Sequence, residues 1–201
     1  MTSSGPYIGC AGWSIPSGHA ALFGAGDSML SRYATRFNAV EINSSFYRPH
    51  QRKTYQRWAE SVPADFRFSV KLPKLISHEL ALRRSGAALE RFFDEIAGLG
   101  DKLAGVLLQL PPSSAFDARV AQQFFAMLRR RYAGAVACEP RHRSWFHPGP
   151  EQLCDRFRIA REGVLRRSLC ESSAAAGEKN EHGGAKQKER FLHRVRVSFP
   201  L

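Results

Sequence analysis

The stretch LAGVLLQLPP, Leu103 to Pro112, is apolar at nearly every position and closes on two prolines. A strand with one wet face alternates apolar and polar residues. An unbroken apolar run reads instead as a strand covered on both faces, as in a parallel sheet flanked by helices. The neighbouring segments agree. Upstream, Gly86 to Ala97 places Leu89, Phe92, Phe93 and Ile96 at steps of three and four, which predicts a helix, and FRFSVKLP, Phe66 to Pro73, predicts a strand stopped by its proline. Downstream, Phe116 to Tyr132 leads one helical face with Val120, Phe124 and Met127, and AVACEPRHRSW, Ala135 to Trp145, begins as another strand.

The alternation continues outward. YIGCAGW (Tyr7 to Trp13) and AVEINSSFY (Ala39 to Tyr47) read as the first two strands, with helical stretches at Met29 to Phe37 and Lys53 to Ser61. Pro150 to about Asp155 reads as a short fifth helix, and FRIAR, Phe157 to Arg161, as the start of a sixth strand. Such alternation implies right-handed parallel βαβ units, which an open doubly wound sheet and a closed barrel both satisfy. Polar clusters end several separate strands rather than one switch point. This favours an α/β fold of the parallel (β/α) TIM-like barrel class, incomplete at about five βα units.

At 201 residues and 43% hydrophobic composition, one sizeable core is expected. No apolar run approaches the roughly 20 residues that cross a bilayer, and MTSSGPYIGC lacks the basic-then-apolar order of a secretory signal. A cytoplasmic location and no membrane partner are therefore expected. Cys10, Cys138, Cys154 and Cys170 stand far apart, without a C-x-x-C pair or a histidine at zinc-ligand spacing, so no disulfide framework, metal or other cofactor is indicated. The net charge of +12 favours polyanions in general, but its densest runs, Arg83-Arg84 and Arg129 to Arg131, fall where helix ends carry basic residues for dipole reasons alone. After about Arg161 the apolar period fades into Ser, Ala, Gly, Glu and Lys. A barrel domain over 1–161 and a divergent low-complexity tail over 162–201 are expected, disordered from about Ser168 to Glu189, with alternation only at Phe191 to Phe199.

Polar clusters stand at five predicted strand ends: Gly9 to Trp13, Glu41 to Tyr47, Lys71 to Pro73 with Ser77-His78-Glu79 beyond, Gln109 to Pro112, and Glu139 to Trp145. In a barrel these ends share one mouth, where such folds keep their sites. Alternation puts Glu41 and Asn43 on one face and Ile42 on the other. Glu41, Glu139, Lys71, His78 and His142 are the candidate catalytic groups, offering a base, an acid and cationic donors. Trp13, Asn43, Tyr47, Gln109, Arg141 and Trp145 are the candidate substrate-binding groups. For each there is a plainer reading: internal charge neutralisation for Glu41 with Lys71 or Arg141, core or rim packing for the aromatics, and solvated loops for the histidines. No i, i+4 histidine pair supports a metal.

The order GCAGW, VEINSSFYR, RFSVKLP with ISHEL, GDKLAGVLLQLPPS and EPRHRSWF resembles the domain of unknown function 72 family, also called YecE-like, over about Tyr7 to Ala160. The resemblance implies a TIM-barrel architecture and a bacterial or archaeal protein whose activity is not established. The family usually has Thr-Ser at Cys10-Ala11 and Phe at Pro140. Proline there removes a backbone donor and restricts Glu139, so a distorted fifth strand is expected. Family members continue with three further strands and a late Arg-Leu-His-Gly type motif that this chain does not show, so truncation or a frameshift after about Arg161 is expected. The open edges this would leave predict poor solubility or dependence on a partner.

Three functions remain open at this point. The first is acid/base chemistry on a small anionic or sugar-like substrate, with Glu41 and Glu139 as base and acid, Lys71 and Arg141 binding the anion, and His78 or His142 shuttling protons. The second is a nucleic-acid or polyanion-binding barrel, suggested by the charge and by Tyr47-Arg48 and Arg143-Ser144-Trp145. The third is an inactive fragment. The sequence does not set the oligomeric state.

Overall fold

The computed structural model describes residues 6–161 and the backbone of 194–195. In chain order it runs β1 (Gly9–Cys10), α1 (Met29–Tyr33), β2 (Ala39–Ile42), α2 (Arg52–Glu60), β3 (Arg67–Lys71), α3 (Gly86–Ile96), β4 (Leu103–Leu110), α4 (Ala118–Arg131), β5 (Ala135–Pro140), α5 (Pro148–Arg156), β6 (Ile159–Arg161) and β7 (Arg194–Val195). Strands β2 to β6 form a parallel sheet in sequence order. β1 extends it through a parallel bridge from Ala11 to Glu41 and a 2.9 Å bond from the Gly12 amide to the Glu41 carbonyl. An open doubly wound sheet reverses its strand order at a switch point, and this one does not reverse. The winding is therefore barrel-like. β7 pairs antiparallel with β1. The expected domain boundary at 161, the tail and its disorder lie outside the described residues, as does the strand expected over Phe191 to Phe199 apart from 194–195.

The two faces of the sheet differ chemically. Toward the helices point Val40, Ile42, Phe68, Val70, Val106, Leu108, Leu110, Val136, Cys138 and Ile159, all buried. They meet Tyr55 and Ala59 of α2, Leu89, Phe92 and Ile96 of α3, and Phe124, Phe125 and Leu128 of α4 in one core. The opposite face follows the pairing rows Glu41–Ser69–Gly105–Ala135, Lys71–Leu107–Ala137–Ala160 and Gln109–Glu139. Apart from Leu107 its residues are polar or small, which suits the inside of a barrel mouth and not a second helix-covered face.

Local chemistry sets the element ends. Ser28 caps α1 in a reciprocal capping box with Ser31, and the Asp117 carboxylate accepts the Val120 amide at the start of α4. α1 stops at Tyr33, short of the expected Phe37. The Thr35 hydroxyl donates to the Arg32 carbonyl at 2.7 Å and accepts the Gly24 amide at 2.9 Å, a side-chain alternative to the helix ladder. Gly9 is needed for close approach, since a Cβ there would collide with the Ala39 carbonyl.

The distortion expected at Pro140 is absent: β5 stays in register with β4 through the Leu110–Pro140 pair. Among the described residues the last pair between β5 and β6 is Cys138 with Arg161, two positions before Pro140.

Candidate functional site

The floor of the site is built from β2 and β3. Glu41, Ser69 and Lys71 share the inner face and are only 6%, 7% and 8% exposed. A register shift between Phe68 and Ser69 sits at this point of the β3–β4 ladder, a bulge of the kind that re-aims side chains beside sites. The Lys71 ammonium stands 4.7 Å above the centre of the Phe46 ring. The Ser45 hydroxyl lies 2.7 Å from the Lys71 carbonyl and 2.8 Å from that of Ile42, tying the ends of the two strands together.

One wall comes from the segment after β3. Leu75–Glu79 forms a single π-helical turn closed by the Leu80 amide on the Leu75 carbonyl at 2.8 Å. Ala81, Leu82 and Arg84 then take left-handed φ values of 46°, 67° and 49°, which non-glycine residues adopt only under constraint. This path sets His78 edge-on against Phe46, ring centres 5.0 Å apart, with its Nδ1 2.8 Å from the Ser77 hydroxyl. Burial, then the charges of Lys71, Lys74 and Arg141, hold the His78 pKa below its ordinary value, with Glu79 opposing. π-turns and backbone strain concentrate at functional sites, and here both stand beside a titratable ring.

The opposite wall comes from β4 and β5. One Glu139 oxygen accepts the Gln109 amide at 3.0 Å and the other the Arg141 guanidinium at 3.4 Å. Two buried polar atoms on the segments that form this floor, Asn43 Oδ1 just after β2 and Ser69 Oγ on β3, have no hydrogen-bond partner. Buried polar atoms are nearly always paired; the Tyr55 hydroxyl, in the helix-side core, is a third unpaired one among the described residues.

Other expected residues sit elsewhere. Trp145 is 1% exposed, packs against Phe116 at 4.9 Å and donates its indole N–H to the Ser114 carbonyl at 3.0 Å, so it belongs to the core and not to the pocket wall. His142 caps the turn Arg143–Trp145: its Nδ1 accepts the Ser144 amide at 3.2 Å and lies 2.7 Å from the Ser144 hydroxyl. Trp13 meets Trp58 edge-on at 5.0 Å, and Tyr47 projects at 74% exposure from beside Phe46. His50, not anticipated from the sequence, lies 2.8 Å by Nε2 from the Ser44 hydroxyl and edge-on to Tyr55 and Trp58. Ser69 was also missed, although alternation with Phe68 and Val70 puts it on the face of Lys71.

A shallow groove of about 640 Å³ between α2 and α3 is lined by Arg52, Glu90, Arg91, Asp94 and Glu95, on the side of the helices and away from the strand ends. Arg91 and Glu95 there are already paired at 2.8 Å. Among the described residues no cluster of His, Cys, Asp and Glu is arranged to hold a metal, and no helix is long and apolar enough to cross a membrane. Arg129 spends its guanidinium on the carbonyls of Tyr132, Gly134, Phe157 and Arg158, which withdraws it from any basic stripe.

Comparison with known proteins places this geometry in context. A family model described as "Protein of unknown function DUF72" matches residues 7–186. The UPF0759 protein YecE of Escherichia coli (strain K12) is 31% identical over 163 residues, covering 80% of this chain and 57% of YecE. The UPF0759 protein YunF of Bacillus subtilis (strain 168) is 28% identical over 153 residues, covering 71% and 52%. Crystal structures of DUF72 family proteins from Enterococcus faecalis and Thermotoga maritima superpose with TM-scores of 0.64 and 0.62 at 22% and 24% identity. Each covers 77% of this chain, and 59% and 63% of its own. The chain thus spans little more than half the length of the curated relatives it matches.

Proposed function

The chain belongs to the DUF72 family of proteins of unknown function, and from that premise we propose that its strand-end mouth binds a small hydroxylated anion, of the sugar-acid class, for acid/base chemistry. The observation that carries this reading is the pair of unpaired atoms, Asn43 Oδ1 and Ser69 Oγ, on the same two strand segments as buried Glu41 and Lys71. A carbonyl oxygen accepts only, so Asn43 calls for a ligand hydroxyl or N–H, and Ser69 suits either role. Lys71 and Arg141 supply the cationic end for a carboxylate. Glu139 and Glu41 are the candidate proton-transfer groups, and Phe46 and Tyr47 offer rings for the apolar face of the ligand.

Titration calorimetry with D-glucuronate, D-gluconate and D-glucose tests it. Saturable binding of at least one acid, tighter than glucose by tenfold or more, and its loss in Lys71→Met are expected. No saturable binding of either acid, or equal binding of glucose, would overturn the reading. A polyanion-binding role gains no particular support, since Arg129 of the densest basic run is engaged by backbone carbonyls.

A further inference from the structure

We propose that Ser44 and His50 form a nucleophile–base pair at the mouth, and that the chain cleaves carboxylic esters there by acyl transfer through Ser44. The geometry that carries this is the 2.8 Å contact between the Ser44 hydroxyl and Nε2 of His50. A serine becomes a useful nucleophile when a base stands within hydrogen-bond reach of its proton and is itself held in place. Both conditions are met. The His50 ring is set edge-on against Tyr55 at 5.8 Å and Trp58 at 5.0 Å, and Trp58 is braced edge-on by Trp13 at 5.0 Å. Packing, in place of a third hydrogen-bonding group, orients the base.

Two other serine–histidine contacts show what a structural pair looks like. Ser77 is only 1% exposed, and its hydroxyl also lies 3.3 Å from the Pro73 carbonyl. The Ser144 hydroxyl accepts the Phe116 amide at 2.7 Å, while the Ser144 amide donates to His142 Nδ1. Each of these hydroxyls is committed to the backbone. The Ser44 hydroxyl has no hydrogen-bond partner but His50 among the described residues, and Ser44 is half-buried, directly after Asn43 on the segment leaving β2.

Burial, then the charge of Arg48, hold the His50 pKa below its ordinary value, with Glu95 opposing, which keeps the ring in its base form at neutral pH. The contact admits a proton in either direction, and attack draws on the tautomer whose Nε2 accepts. Ser44 Oγ bonds to the ester carbonyl carbon as its proton passes to Nε2. The bond from that carbon to the alcohol oxygen breaks, and Nε2 gives the proton to the departing alkoxide. Water then attacks the acyl-serine, losing its proton to Nε2; the carbon–Oγ bond breaks, Oγ regains a proton, and a carboxylic acid leaves. The substrate class rests on the anion-binding reading above: the product is the hydroxylated carboxylate proposed for the mouth, so the substrates are its esters and lactones.

Phosphonylation by a fluorophosphonate, located by peptide mass spectrometry, together with hydrolysis of p-nitrophenyl acetate and D-glucurono-6,3-lactone, tests the pair. Expected are one phosphonyl group on Ser44, hydrolysis of both esters lost in Ser44→Ala, and labelling about 100-fold slower in His50→Gln. Should His50→Gln fail to fold, Ser44→Cys reads the same base. Beside His50 the introduced thiol should react with iodoacetamide at pH 7 about tenfold faster than glutathione, which a side chain serving only the turn would not do. No phosphonylation of Ser44, or labelling at an unchanged rate in His50→Gln, would overturn this inference while leaving D-glucuronate binding as a separate result. Labelling of Ser44 and cleavage of p-nitrophenyl acetate in a protein that binds no sugar acid would uphold the pair and overturn the substrate class.

Discussion

Ser69 shows how one side chain can separate a ligand site from a structural feature. Its hydroxyl is buried without a partner, so it contributes nothing that offsets its lost hydration. Ser69→Ala is expected to leave the urea-unfolding free energy unchanged or raise it by up to about 1 kcal/mol, while weakening D-glucuronate binding about 5-fold. A structural serine would give the reverse pattern. Tyr33 is the contrasting case. Its hydroxyl accepts the Cys10 amide at 2.7 Å and donates to the Ala39 carbonyl at 3.0 Å, bridging β1 and β2. Burial pushes the phenol pKa far above its ordinary value, so it stays neutral and keeps both bonds. Tyr33→Phe strands both backbone groups and should cost about 1–3 kcal/mol in urea unfolding. Glu41, Lys71, Gln109 and Glu139 were legible because alternation in a strand assigns faces without knowledge of packing. Trp145 lies in the core, the plainer of its two readings; its strand ends at Pro140, after which alternation carries no information.

At the scale of elements, the connections hold more of the outcome than the strands do. Arg129 of α4 reaches the carbonyls of Tyr132 and Gly134 before β5 and of Phe157 and Arg158 before β6. One guanidinium thus anchors both strands' leading ends, with α5 between them. Arg129→Met should destabilise by about 2–3 kcal/mol, and Arg129→Lys should recover less than half of it, because an ammonium cannot span the same fork. The left-handed segment after His78 makes an opposite prediction. Arg84 is exposed at φ 49°, so Arg84→Gly should be neutral or stabilise by up to about 1 kcal/mol, read from the urea midpoint, whereas glycine in a helix would cost a similar amount. The strands and longer helices were readable within a few residues from periodicity. The π-turn and the bulge before Ser69 were not, since both arise from tertiary closure around the mouth and leave no periodic trace.

For the molecule as a whole, the sheet has one face that holds the fold together and one that does not. The helix-side face carries the core, and the inner face carries the buried charges of Glu41 and Lys71, the unpaired Ser69 hydroxyl and, apart from Leu107, small residues. This division explains why the sequence favours barrel-like winding without excluding an open sheet: apolar runs mark helix-covered strands, and polar strand ends spread over several strands weigh toward a shared mouth. The identity of the ligand was not clear, because it depends on distances between five separate loops. Acid should reveal the histidines held within this architecture. His50 is depressed by burial and Arg48, and His78 by burial and Lys71, so each binds its proton later in the folded chain than in the unfolded one. Stability is full above about pH 6.5 and falls as pH drops from there through the lower folded-state values. Urea midpoints at pH 7.5 and 5.5 should show the fall, reduced in His50→Gln; equal midpoints would mean that neither ring is held neutral by the fold.

The most direct test of the account is a crystal structure with D-glucuronate bound. Density is expected at the strand-end mouth, with a hydroxyl against Asn43 Oδ1 or Ser69 Oγ and the carboxylate toward Lys71 and Arg141. An empty mouth, with the sugar acid bound elsewhere or not at all, would contradict it.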